Sequence, residues 1–180
     1  FVGVGVRGPL SKARLEALGV RRVEVVGDAA LALAAPAAAA PALPRRFAVN
    51  VTAPAGGSHV ESWGRERLLP FERATAALVR EGWSPVFVAM HENDLAPLRA
   101  LAASAGAVGE AIRVVPTWPA FAAIVAPCTL TLAMRLHAAV LSCCLGVPPL
   151  SVGYSDKCLD FMGSMELEAW DLPRVEVEEL

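Results

Sequence analysis

Short apolar runs rich in β-branched residues alternate along this chain with stretches whose apolar positions recur every three or four residues, the patterns of buried strands and amphipathic helices. Val2–Val6 and Val23–Val26 predict strands on either side of a helix over Ser11–Leu18, which makes one β-α-β unit. Ser11 is expected to cap that helix, its hydroxyl accepting from the first unpaired amides, and Gly19 to stop it. The run Ala29–Pro44 is nearly all alanine, broken by Pro36, Pro41 and Pro44. It offers little specific packing, and an interdomain linker is expected over 34–45. Strands then follow at Phe47–Val51, Val86–Ala89, Ile112–Val115, Leu130–Met134 and Leu150–Val152. Helices alternate with them at Glu66–Glu81, Asp94–Ala105, Trp118–Val125 and His137–Leu145. Such alternation with short connections predicts an α/β fold, a doubly wound, Rossmann-like parallel sheet covered by helices on both faces. Residues 1–33 are expected to be the last β-α-β unit of an N-terminal domain that is mostly missing, and residues 46–180 a second domain.

Composition narrows the picture. With 180 residues, 55% of them apolar, the chain can bury a core and is not expected to be disordered. It starts at Phe1 directly in an apolar strand, without an initiator methionine or a basic leader, as a fragment would. Arg135, His137, Pro148 and Pro149 interrupt the most apolar stretch before it reaches the roughly 18 residues that span a bilayer, so no transmembrane segment is expected. A formal charge of −2 with scattered basic residues leaves no footprint for nucleic acid. Cys128, Cys143, Cys144 and Cys158 form no CxxC pair and read as reduced core thiols of a cytoplasmic protein.

In sheets of this kind ligands bind beyond the carboxyl ends of the strands, where loops lead into helix starts that favour anions. Arg7-Gly8-Pro9-Leu10-Ser11 sets a cation beside a tight turn; an ordinary surface arginine is the competing explanation. Thr52–His59 contains Gly56 and Gly57, which let a ligand approach the backbone, but lacks the lysine of a Walker motif, and a plain flexible loop fits equally. His91 ends a strand, facing either a pocket or solvent, and Asp94 reads as a helix cap. No further ligands stand at metal-site spacing, so no metal is expected. The richest constellation is Met134-Arg135-Leu136-His137 at a strand-to-helix turn, followed by Gly146-Val147-Pro148 and Tyr154-Ser155-Asp156-Lys157. Arginine offers a planar fork for a carboxylate or phosphate and histidine a proton, both at an anion-favouring helix start. A buried core histidine is the bland alternative for His137. Arg135 two residues earlier weighs against it, since that arginine could not be buried without an anionic partner.

These residues resemble the C-terminal signature of polysaccharide pyruvyl transferases, and Val6-Arg-Gly-Pro-Leu-Ser11 with Leu15, Gly19 and Gly27-Asp28-Ala29 is similar to the segment ahead of that family's interdomain linker. The family's common Gly-Asp-Pro is Gly27-Asp28-Ala29 here, a change expected to loosen one turn without touching a proposed catalytic group. The resemblance implies the C-terminal half of a glycosyltransferase B architecture. It also implies transfer of an enolpyruvyl unit from phosphoenolpyruvate to a saccharide, free or lipid-linked, to give a ketal. It maps donor handling onto Arg135, His137 and Arg7, and more loosely substrate binding onto His91, Tyr154 and Lys157, with His137 as general acid. No cofactor is implied, and the location implied is cytoplasmic, peripheral to the inner face of the membrane. Two other functions fit the same residues. A nucleotide-sugar glycosyltransferase of this architecture would bind a nucleotide diphosphate and ignore phosphoenolpyruvate; a non-catalytic α/β domain would bind a ligand without turning it over.

Overall fold

Two parallel sheets organise the residues described by the computed structural model, which are 3–33, 44–52, 68–107, 111–153, 155–167 and 170–171. The linker expected over 34–45 and the glycine loop after Thr52 thus fall almost entirely outside the described residues, as does Tyr154.

The smaller sheet pairs β1 (Val4–Val6) with β2 (Val23–Val25), Val4 beside Val23 and Val6 beside Val25. Helix α1 (Pro9–Ala17) connects them, with proline at a first-turn position that needs no amide donor, and Gly19 at φ +81° closes its far end as expected. The expected cap is different. Gly8 holds the N-cap position and Ser11 lies inside the first turn, so no side chain of the helix itself can cap it. Asp160, 150 residues away from Leu10, does so instead: its Oδ1 accepts from the Leu10 and Ser11 amides at 2.8 and 3.2 Å, and the Ser11 hydroxyl donates to its Oδ2. That carboxylate is only 2% exposed. Gly8 is extended, so its φ sets no demand on residue type, but a Cβ there would lie 2.0 Å from the Asp160 carbonyl oxygen.

The larger sheet contains β3 (Arg46–Asn50), β4 (Ser84–Ala89), β5 (Ile112–Val114), β6 (Leu130–Ala133), β7 (Pro149–Gly153) and β8 (Trp170–Asp171). Its order is β5-β4-β3-β6-β7-β8, parallel throughout, so the chain starts in the middle, winds outward one way, returns to β3 and winds outward the other way. The connections are α2 (Leu69–Arg80), α3 (Leu95–Ser104), α4 (Trp118–Val125), α5 (Leu136–Cys144) and α6 (Asp156–Ser164). Alternation along the strands sends Phe47, Val49, Val51 and Phe87 into one core with Phe71 of α2 and Leu98 and Leu101 of α3. It sends Ala48, Val86, Val88 and Ala133 into a second core with Phe121, Val140 and Phe161 of α4, α5 and α6. The doubly wound α/β sheet is therefore as the periodicity predicts.

Two elements are additional to that expectation. Helix α6 has only Cys158, Phe161 and Met162 as buried apolar positions and carries the buried Asp160, which blurs its pattern, and β8 has two residues. Ala29–Ala32, within the alanine-rich run, forms a 3-10 turn whose Ala30 carbonyl accepts from the Cys144 thiol of α5.

The winding direction reverses between β3 and β6, and the helices that follow them, α2 and α5, pack on opposite faces; this switch point is where doubly wound sheets form the crevice that binds ligands. Two substitutions test the packing of α1. Gly8→Ala pushes a methyl group into the Asp160 backbone and is expected to destabilise by more than about 2 kcal/mol. Gly19→Ala meets no neighbour within 4 Å and costs only its left-handed backbone, about 1 kcal/mol. Urea unfolding of both variants gives the comparison, and equal midpoints would show that the close approach at Gly8 is not maintained in solution.

Candidate functional site

At the crevice the sequence places a polar residue where an apolar strand would be expected to continue. β3 ends on Asn50, 1% exposed, and its side chain links the strands on either side, with Nδ2 donating to the Val88 carbonyl at 2.9 Å and Oδ1 accepting from the Arg135 amide at 3.2 Å. Arg135 occupies the N-cap position of α5 with an extended backbone, so it turns out of β6 just beyond Ala133. Its guanidinium lies side-on against Asp94. Nε donates to both carboxylate oxygens at 2.9 Å, and Nη2 donates to Oδ1 at 2.7 Å and to the Thr52 hydroxyl at 2.9 Å.

Asp94 is 0% exposed and follows β4 on a 3-10 turn, Glu92–Asp94. It stands at the N-cap position of α3, as its place in the sequence suggests, but its side chain makes no bond to that helix. Its Oδ2 instead accepts from the Met90 and His91 amides at 2.9 and 3.2 Å. The anionic partner that Arg135 requires is therefore inside the protein. A buried charge without such a partner is costly, and a bidentate guanidinium with two further amide donors is the arrangement that offsets it.

The other expected residues are distributed around this cluster. His137 lies in the first turn of α5 and is exposed, with no hydrogen bond among the described residues. His91 is exposed at the N-cap of the 3-10 turn, where Nδ1 accepts from the Asn93 amide at 3.2 Å, so half of its ring chemistry is already used locally. Arg7, at the end of β1, donates through Nε to Asp28 at 2.6 Å. Asp28 also accepts from the Ala30 amide at 3.0 Å and so closes the turn at Gly27-Asp28-Ala29. That turn holds Arg7, expected as a binding residue, and touches neither Arg135 nor His137, the groups expected to be catalytic. No bond among the described residues joins the Arg7 pair to the Arg135 cluster.

Lys157 lines a cleft of about 600 Å³ between α1 and α6 with Ser11, Arg14, Ser155, Asp156 and Asp160. The first turn of α6 also leans on the end of β6, where the Cys158 thiol donates to the Met134 carbonyl at 3.9 Å. Among the described residues no side chain caps α5 or α6, and the first turns of both helices lie beside the carboxyl end of β6. Asn50 and Asp94 are the residues that periodicity could not single out, for each looks like a strand end or a cap until the strands are placed side by side.

The four cysteines are free, and no group of three or more His, Cys, Asp or Glu converges among the described residues. Burial pushes the Cys128 and Cys143 thiols up to about 11, and Cys144 is raised by burial as well. They are poor nucleophiles at neutral pH.

A family model described as polysaccharide pyruvyl transferase matches residues 1–156 of the 180-residue chain. That span includes Arg7, His91, Arg135, His137 and Tyr154 and ends just before Lys157. No curated protein matches the chain at a significant level.

The thiols make a pH prediction. Because burial raises Cys128 and Cys143 from 9.0 to about 11, the folded protein keeps these protons to higher pH than the unfolded chain. Their contribution to stability is thus complete below about pH 9 and is lost as pH rises toward 11. Urea midpoints measured from about pH 8 to about pH 10.5 should fall, and fall less steeply in Cys128→Ala. Identical slopes in the two proteins would remove the thiol as the cause.

Proposed function

The chain belongs to the polysaccharide pyruvyl transferase family, and on that premise we propose that it supplies the phosphoenolpyruvate-binding part of an enzyme that builds a pyruvate ketal on a saccharide. The observation that carries this reading is Arg135, held rigidly at the switch point of the sheet beside the exposed His137 and two uncapped helix starts. Phosphoenolpyruvate bears a carboxylate and a phosphate. Oriented guanidinium and amide donors suit such a pair, and the crevice offers both kinds within one turn of the β6 end.

The chemistry assigns a task to each side chain. Protonation of the donor's methylene carbon makes the neighbouring carbon electrophilic, and a first sugar hydroxyl adds there. A second hydroxyl then closes the ring as the carbon–oxygen bond to phosphate breaks. Two hydroxyl protons are released; one replaces the proton delivered to the methylene carbon and the other leaves with phosphate or solvent. His137, exposed and without a partner among the described residues, would deliver the first proton. Arg135, Arg7 and Lys157 would answer the negative charge that grows on the departing phosphate.

In this proposal residues 1–33 close a preceding domain, residues 46–180 form the donor domain, and acceptor contacts come largely from outside this chain. A phosphorylated donor made inside the cell fits a cytoplasmic enzyme working at the inner face of the membrane on a free or lipid-linked saccharide. No helix among the described residues is long and apolar enough to cross a membrane.

Calorimetric titration of phosphoenolpyruvate, with uridine diphosphate as control, tests the donor assignment. Saturable binding is expected, weakened at least about tenfold by Arg135→Ala. His137→Ala should leave affinity within about threefold while abolishing turnover in the complete enzyme, because a general acid acts on the reaction more than on binding. Binding of the nucleotide and not of phosphoenolpyruvate would overturn the reading in favour of a glycosyltransferase.

A further inference from the structure

An arginine that serves as an anion clamp is here already paired with a carboxylate, and the manner of pairing is specific. Asp94 and Thr52 take the N–H groups on the Nε and Nη2 side of Arg135, and Nη1 has no hydrogen bond among the described residues. Asn50 fixes the other end of the same residue by accepting its backbone amide, and is itself anchored to the Val88 carbonyl and 3.5 Å from Asp94 Oδ2. Backbone and guanidinium are thus held from both sides by residues 1% and 0% exposed.

A second arginine repeats the arrangement. Arg7 also gives its Nε to an aspartate, Asp28, which is 8% exposed. A free surface cation would attract an anion by its field. A guanidinium neutralised along one side attracts little by field, and recognises by the direction of the donors left over.

We propose that Asp94, with Asn50 behind it, is a positioning residue for donor recognition: it orients Arg135 so that an anionic oxygen of the donor is met through Nη1. This rests on the donor-binding reading above. It implies that Arg135→Lys is not a conservative change, because an ammonium cannot keep Asp94 and present a second directed edge. It also implies that anion binding at this point depends only weakly on salt, since the pair carries no net charge.

Asp94→Asn is the informative variant. It keeps the size of the side chain and an acceptor for the Met90 and His91 amides, and removes one of the oxygens that hold the guanidinium. On the full chain, the nitrogen-15 NMR signal of the Arg135 Nε–H, assigned by its loss in Arg135→Lys, reports the orientation directly. Calorimetry with phosphoenolpyruvate and with inorganic phosphate reports the recognition, and urea unfolding corrects for stability. In the unsubstituted protein the Nε–H should exchange slowly with water and its signal should move when phosphoenolpyruvate is added. In Asp94→Asn, exchange should quicken and the dissociation constant rise, each about tenfold, with steeper salt dependence. A purely structural ion pair would shift the urea midpoint and leave the affinity of the folded fraction alone, and that result overturns the proposal. An unchanged Nε–H signal in Asp94→Asn overturns it as well.

The donor reading fails separately. If phosphate binds and phosphoenolpyruvate does not bind as such, the donor assignment is lost, and the comparison of Asp94→Asn with the unsubstituted chain toward phosphate still decides the positioning role. If neither anion binds, the proposal falls with it.

Discussion

The carboxylate of Asp94 is shut away from water at the place in the sheet where neighbouring strands lead to opposite faces, and Arg135 is the cation that makes its burial tolerable. Much of the local structure depends on that pair. It ties the loop after β4 to the start of α5, and through Asn50 it ties both to the end of β3. Removing either charge would leave the other stranded in a medium that solvates it poorly. The side chain that chemistry would use is therefore one that the fold itself requires, and its orientation is set before any ligand arrives.

The same economy appears at the smaller sheet. Helix α1 starts at a turn that looks, from its arginine, glycine and serine, like an anion seat, yet the seat is taken by Asp160 of α6. Arg7, beside it, is turned toward Asp28. Exposed to solvent near the end of β6 is the ring of His137 in the first turn of α5. The protein thus fills the start of α1 with a carboxylate of its own, while no side chain among the described residues caps α5.

Much of this was legible from residues alone. The continuous apolar runs Phe47–Val51 and Val86–Ala89 locate the strands within a residue or two, because both faces of the sheet are buried and the signal is strong. Arg135 and His137 stood out for the opposite reason, as polar groups at the mouth of an apolar helix. The partners of these groups were hidden. Asp94 has the local look of a cap, Asn50 lies within the apolar run Phe47–Val51, and nothing near Asp160 in sequence points to its role, since hydrogen bonds between residues far apart in the chain leave no periodic trace. Helix α6 is not among the expected elements; it is only nine residues long and buries only Cys158, Phe161 and Met162 as apolar groups, a short signal to read from sequence. Satisfaction of buried polar groups is a property of the folded arrangement, and patterning reports only where apolar surface goes.

The cap that Asp160 provides bears on modularity. Its carboxylate draws its donors from Leu10 and Ser11, while Pro9 packs beside Gly163 and Ala30 takes the Cys144 thiol proton. Cutting the chain within its alanine- and proline-rich stretch and discarding the first part would strip that carboxylate of these partners and expose the flank of α6 and the end of α5. The opening β-α-β segment is therefore no detachable appendage of the six-stranded sheet. An exchange of modules between related enzymes, made at a seam after β2, would have to bring a matching partner for the Asp160 carboxylate from the other side.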